Sequence, residues 1–117
     1  MKTFNKQAAQ GDLMIRRIKE LPENLELLKP EDEKFVVAHS ETGHNHVIDA
    51  KPNVKWYGNG DPMVSYLQVE ESLDAVETLL EHMRSYDTHE SIAIQPGLYE
   101  IRRQREYSPE GWKRVED

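Results

Sequence analysis

The chain is predicted to fold as a mainly β protein, a small single-domain barrel or sandwich with one α-helix over residues 73–84. Three observations predict it: many short β-branched runs, turn signals between them at intervals of roughly 8–12 residues, and one segment of helical apolar spacing. At 117 residues the sequence reads as one domain, residues 1–117. A chain of this size buries about two-thirds of its surface, enough for one modest core.

Residues 1–10 read as a loose polar lead-in. Gly11-Asp12 then opens the apolar–basic strand Leu13-Met14-Ile15-Arg16-Arg17-Ile18, which Leu21-Pro22 ends. Leu25-Glu26-Leu27-Leu28 is a short strand, residues 29–34 a turn, and Phe35-Val36-Val37-Ala38-His39 a β-branched strand. Ser40-Glu41-Thr42-Gly43 is the next turn, with His44 to Ile48 as the partner strand. Val54-Lys55-Trp56-Tyr57 and Met63 to Val69 flank the hairpin signal Gly58-Asn59-Gly60-Asp61-Pro62.

The helix rests on Leu73, Val76, Leu79, Leu80 and Met83, with Ser72 placed as N-cap and Arg84 at the favourable end of the dipole. Ser91 to Ile94 and Leu98 to Gln104 are strands around Gln95-Pro96-Gly97. The tail, residues 108–117, reads as irregular.

Composition narrows the chemistry. Apolar residues make up 37% and charged residues 32%, which suits an economical core rather than a disordered chain. With no cysteine, disulfides, thiolate metal sites and Cys nucleophiles are excluded, so a metal would sit on imidazole and carboxylate. The net charge of −7 opposes non-specific binding to nucleic acid or anionic membrane. No signal-length or membrane-length apolar run occurs, so a cytoplasmic protein is expected. Gly-rich phosphate loops, Ser nucleophile elbows and HExxH helices are absent as well.

The stretch HSETGHNHVID at 39–49 holds three of the five histidines. Residues i and i+2 of a strand share a face, so His44 and His46 project side by side. A four-residue loop would set His39 opposite His44 and Val37 opposite His46. A three-residue loop with a bulge would pair Ser40 with His44 and turn His39 away. His89, before a later strand, is the candidate third ligand, with Asp49 and Glu90 as carboxylate alternatives. Such a set suits a divalent transition metal, Zn, Fe or Mn. The plainer alternative is a set of hydrogen-bonded hairpin histidines, and His82, beside the apolar stripe, is read as structural.

In LYEIRRQREY at 98–107, a regular strand would put Tyr99, Ile101, Arg103, Arg105 and Tyr107 on one face. Two guanidinium groups between two phenols would bind an anion. In a chain with 22 acidic residues, the same arginines also have carboxylates to pair with at the surface.

Gln10-Gly11-Asp12, Thr42-Gly43-His44-Asn45-His46-Val47, His89, Ile92-Ala93-Ile94-Gln95-Pro96-Gly97-Leu98-Tyr99 and Arg103-Gln104-Arg105-Glu106-Tyr107 together resemble an uncharacterised family of small bacterial and phage proteins. That family shows a QGD start, a TGHxH centre and a PGxY–RQREY end. The resemblance carries no activity. It singles out His44, His46, His89, Tyr99, Gln104, Arg105, Glu106 and Tyr107, and it implies another His three residues before His89, where Tyr86 stands. The HxH-then-PG order is also similar to cupins, barrels that hold a metal on HxH, Glu and a later His. Here no Glu follows His46 at cupin distance, and Tyr99 stands near the place of the late His.

The expected function is therefore a His-rich pocket, metal-dependent or His-based, hydrolysing a phosphate-containing or other anionic substrate. His44, His46, His89, Arg105 and Tyr99 are its expected catalytic residues, with Arg103, Gln104 and Tyr107 binding substrate and His44, His46 and His89 holding the metal. The alternative is a non-catalytic module that binds a protein or nucleotide ligand, in either case with scope for a homo-oligomer.

Overall fold

The computed structural model describes residues 2–38, 45–72, 77–82, 91–103, 105–108 and 111–114. The chain is mainly β, built as two antiparallel sheets rather than a closed barrel, with a further two-stranded ribbon. Among the described residues there is no helix, hence none long and apolar enough to cross a membrane.

The larger sheet contains β1 (Gln7–Gln10), β2 (Leu13–Ile18), β3 (Glu26–Leu27), β6 (Val54–Gly58), β7 (Val64–Val69) and β10 (Gly97–Arg103), in the order β1-β2-β10-β7-β6-β3. The smaller contains β4 (Lys34–Ala38), β5 (His46–Asp49), β8 (Thr78–His82) and β9 (Ile92–Ile94), in the order β4-β5-β8-β9. β11 (Arg105–Ser108) and β12 (Gly111–Arg114) pair with each other.

Strand alternation explains which residues meet. On the larger sheet, Ile15, Ile101 and Ser65 lie in one cross-strand row, and Tyr99, Leu67 and Trp56 in the next. On the smaller sheet, the row is Phe35-Ile48-Leu80-Ile92. Both sheets contribute to one buried cluster, and Phe35 meets Trp56 with ring centroids 5.7 Å apart. Burying each such apolar side chain stabilises the fold by about 1.5–3 kcal/mol, which fixes the register of both sheets.

Three expectations are corrected. The helix over 73–84 is not formed at 78–82, which is strand β8; residues 73–76 and 83–84 lie outside the described residues. Leu80, 1% exposed, fills the gap between Ile48 and Ile92, and that sheet position overrides the helical spacing of its neighbours. The lead-in at 1–10 carries β1, whose Ala8 and Gln10 are buried, and Lys2 forms a parallel bridge to Ile92 on β9. The tail carries β12, held by pairing with β11.

The β4–β5 hairpin uses both expected registers. Lys34, Phe35 and Val36 pair with Asp49, Ile48 and Val47 as the four-residue loop requires. A shift at Val37 then pairs Ala38 with His46, the register of the shorter loop. His39 to His44 lie outside the described residues.

Before β4, residues 31–34 form a two-residue turn in which Asp32 (φ 49°) and Glu33 (φ 64°) are both left-handed, the pattern of a type I′ turn. A left-handed L-residue costs about 1–2 kcal/mol, and glycine forfeits about half of that through its looser unfolded chain. Glu33→Gly is therefore expected to raise stability by about 0.5–1 kcal/mol, measured by urea denaturation.

Candidate functional site

Gly11 has φ 60° and Asp12 has no positive φ, so Gln10-Gly11-Asp12-Leu13 forms the tight β1–β2 turn with glycine at its first central position. Two polar side chains leave this turn for the protein interior. Gln10 is 3% exposed and Asp12 1% exposed. Opposite them on the smaller sheet stands His46, 0% exposed, on the same face as the core residue Ile48.

The contacts form a chain across the two sheets. Gln10 Nε2 donates to the Leu80 carbonyl at 3.0 Å, which leaves Gln10 Oε1 to accept from His46 Nδ1 at 2.8 Å. This orientation turns His46 Nε2 toward Asp12 Oδ1, 3.4 Å away. The second Asp12 oxygen accepts from Arg103 Nη2, also at 3.4 Å. Arg103 closes the chain at the end of β10, with its side chain 9% exposed.

Beyond Arg103 a cleft of about 490 Å³ opens between β4 and the β6–β7–β10 part of the larger sheet. Val37, Ala38, Gly58, Val64, Ser65 and Arg103 line its buried part. Glu26, Lys29, Glu31, Gly60, Asp61 and Pro62 form its exposed rim. The rim is ordered by side-chain turns: Asn59 Oδ1 accepts from the Asp61 N–H and Asp61 Oδ1 from that of Met63. In the cleft wall, Arg103 Nε and Trp56 Nε1 are buried donors without a hydrogen-bond acceptor among the described residues. A buried N–H left so costs about 1–3 kcal/mol.

Of the residues expected to form the site, the structure brings His46 and Arg103 into one array through Asp12. His44, His89 and Gln104 lie outside the described residues, and Arg105 and Tyr107 are located only as backbone positions on β11. The common face of the arginine strand holds for Tyr99, Ile101 and Arg103. It does not continue through Arg105 in the same sheet, because β10 ends at Arg103 and, among the described residues, β11 pairs only with β12.

Tyr99 is fully buried and its hydroxyl is engaged away from the cleft lining. It donates to the Gln95 carbonyl at 2.5 Å and accepts from Arg17 Nη2 at 2.9 Å. Burial pushes the phenol pKa up, and the Arg17 charge partly offsets this.

Gln10 and Asp12 are the residues that sequence reasoning passed over. Their signal was local: two polar residues either side of a glycine, directly before an apolar strand. Polar turn residues normally face water, so only the opposite sheet reveals their burial.

A divalent metal would find His46 Nε2 and Asp12 Oδ1 at 3.4 Å, near the spacing of adjacent ligands each about 2.1 Å from an ion. No group of three or more His, Asp or Glu converges among the described residues. Arg103, on the other oxygen of Asp12, also sets a positive charge next to that position.

Residues 9–104 match the family of domains of unknown function DUF8820. The chain belongs to the DUF8820 family. The matched span starts just before the β1–β2 turn and ends just after Arg103, so Gln10, Asp12, His46 and Arg103 all lie within the DUF8820 domain. No curated protein and no solved structure matches the chain.

Proposed function

We propose that this DUF8820 domain is a binding module for a small ligand, whose anionic group docks in the cleft on Arg103. The observation that carries this reading is Arg103 itself: a cleft-lining guanidinium, nine-tenths buried, braced from behind by Asp12 and keeping a buried Nε donor without an acceptor among the described residues. Guanidinium binds carboxylate and phosphate through paired N–H donors, and a braced one loses less entropy on binding. The Trp56 indole supplies a second donor in the same wall. The volume falls within the usual range of small-molecule sites.

Burial of His46 between Gln10 and Asp12 favours a supporting role for its ring over direct attack on a substrate. A hydrolytic role would need the imidazole within hydrogen-bond reach of the reacting group.

Titration with acetate and with inorganic phosphate, followed by the Arg103 Nε and Trp56 indole signals in 15N NMR spectra, tests this reading. Both signals are expected to shift saturably. Arg103→Lys is expected to weaken binding at least tenfold, and Trp56→Phe, which keeps a ring in the core, about three- to tenfold, the worth of one hydrogen bond. Unmoved Arg103 and Trp56 signals at saturating anion would overturn the proposal, and so would a Trp56→Phe protein that binds as tightly as the parent.

A further inference from the structure

The cleft is charged in two layers of opposite sign. Among the described residues, its buried part contributes one cation, Arg103, while its exposed rim carries the carboxylates of Glu26 and Asp61 beside the ammonium of Lys29. A simple anion heading for Arg103 must pass this acidic rim. The rim charges are exposed and the whole chain carries −7, so the approach field is repulsive within the ~8–10 Å screening length at ordinary salt. A ligand bearing an ammonium at its other end meets attraction at both layers.

The two layers are held in place by separate devices. Arg103 is set by Asp12 and by the end of β10, where its backbone N–H donates to the Met63 carbonyl. Asp61 is set by the side-chain turns of residues 59–63, with Gly60 at φ 93° completing the loop. The Leu28 N–H donates to the Trp56 carbonyl, which ties the segment carrying Glu26 and Lys29 to the cleft wall. Apolar Val37, Ala38 and Val64 line the space between the layers. Such a lining suits the carbon backbone of the ligand.

From this arrangement we infer that the ligand is a zwitterion: a carboxylate or phosphate that docks on Arg103, joined through a short apolar spacer to an amine that the Glu26/Asp61 rim receives. The inference rests on the anion-binding reading of the cleft and narrows its ligand class.

Three probes with one carbon skeleton separate the two claims: 6-aminohexanoate, hexanoate and hexylamine, each titrated while the Arg103 Nε and Trp56 indole signals are followed. The expected order is 6-aminohexanoate first, at least fivefold tighter than hexanoate, with hexylamine leaving the Arg103 signal in place. Glu26→Gln/Asp61→Asn is expected to erase the preference for 6-aminohexanoate while hexanoate binds the variant at least as well as the parent. Both positions are exposed, so the variant is expected to fold, which its NMR spectrum checks directly. If hexanoate matches or exceeds 6-aminohexanoate on the parent protein, the zwitterion inference fails and the anion site stands. If no probe moves Arg103 and Trp56, both fail. A preference that survives the double substitution also overturns the inference, because the rim would then not be its source.

Discussion

Asp12→Ala is expected to cost about 3–5 kcal/mol of stability and to lower the melting temperature by roughly 10–25 °C, the effect of removing one partner from a buried ionic contact. The side chains it would strand are both inside: His46 is 1% exposed and Arg103 9%. His46 cannot turn to water without opening the contact between the sheets, since Gln10 ties it to Leu80 on the same path. Asp12→Asn keeps an acceptor and removes the charge, so a smaller loss is expected, about 1–3 kcal/mol. The cross-strand pair Lys34–Asp49 supplies the contrast. It is shorter, at 2.6 Å, yet its side chains are 39% and 53% exposed, and Lys34→Ala is expected to cost only about 0–1 kcal/mol. Equal losses for Asp12→Ala and Lys34→Ala in urea denaturation would show that the interior array does not behave as a desolvated ionic network.

The second large effect is expected at Tyr99. Tyr99→Ala should cost about 3–5 kcal/mol, because the ring is fully buried and meets Phe4 edge-on at 5.7 Å. Tyr99→Phe keeps that packing and loses the hydroxyl bonds to Gln95 and Arg17, for about 1–2 kcal/mol. The two variants also differ from the parent in alkali. Burial raises the Tyr99 pKa, so above pH ~10 the unfolded chain releases this proton more readily than the folded one. The stability that the neutral phenol contributes is fully present below pH ~10 and is lost as pH rises through the folded-state value. Tyr99→Phe should therefore flatten the alkaline decline seen when urea denaturation is compared at pH 8 and pH 11. The anion binding proposed at Arg103 should survive Tyr99→Phe, which distinguishes a core role for this residue from the catalytic one suggested by its place near Arg103.

Strands with period-two patterns and strong turn punctuation were legible from the sequence. β2 over Leu13–Ile18 agrees to the residue, and β6, β7 and β10 agree within one residue at each end. The helix was misread because Leu79, Leu80 and Glu77 are good helix formers, while the demand on Leu80 comes from Ile48 and Ile92, each remote in sequence. Two site residues, His46 and Arg103, were legible as chemistry. Their connection was not, since Asp12 looks like an ordinary turn residue until the smaller sheet is laid over it. Register was legible only as a pair of alternatives, and the bulge at Val37 resolves it by using one before and the other after.

The β1–β2 turn has a consequence for how this protein could change over time. Gln10 and Asp12 sit on either side of Gly11; both reach His46, and Asp12 also braces Arg103. Replacing such an interior array wholesale with apolar residues of similar volume is often neutral or stabilising. A lineage or a design campaign selected only for heat resistance would therefore be free to dry out this seam, and in doing so would leave Arg103 without its brace. Retention of the array against that easier solution is the mark by which descendants selected for the binding proposed at Arg103 could be told from those that keep only the fold.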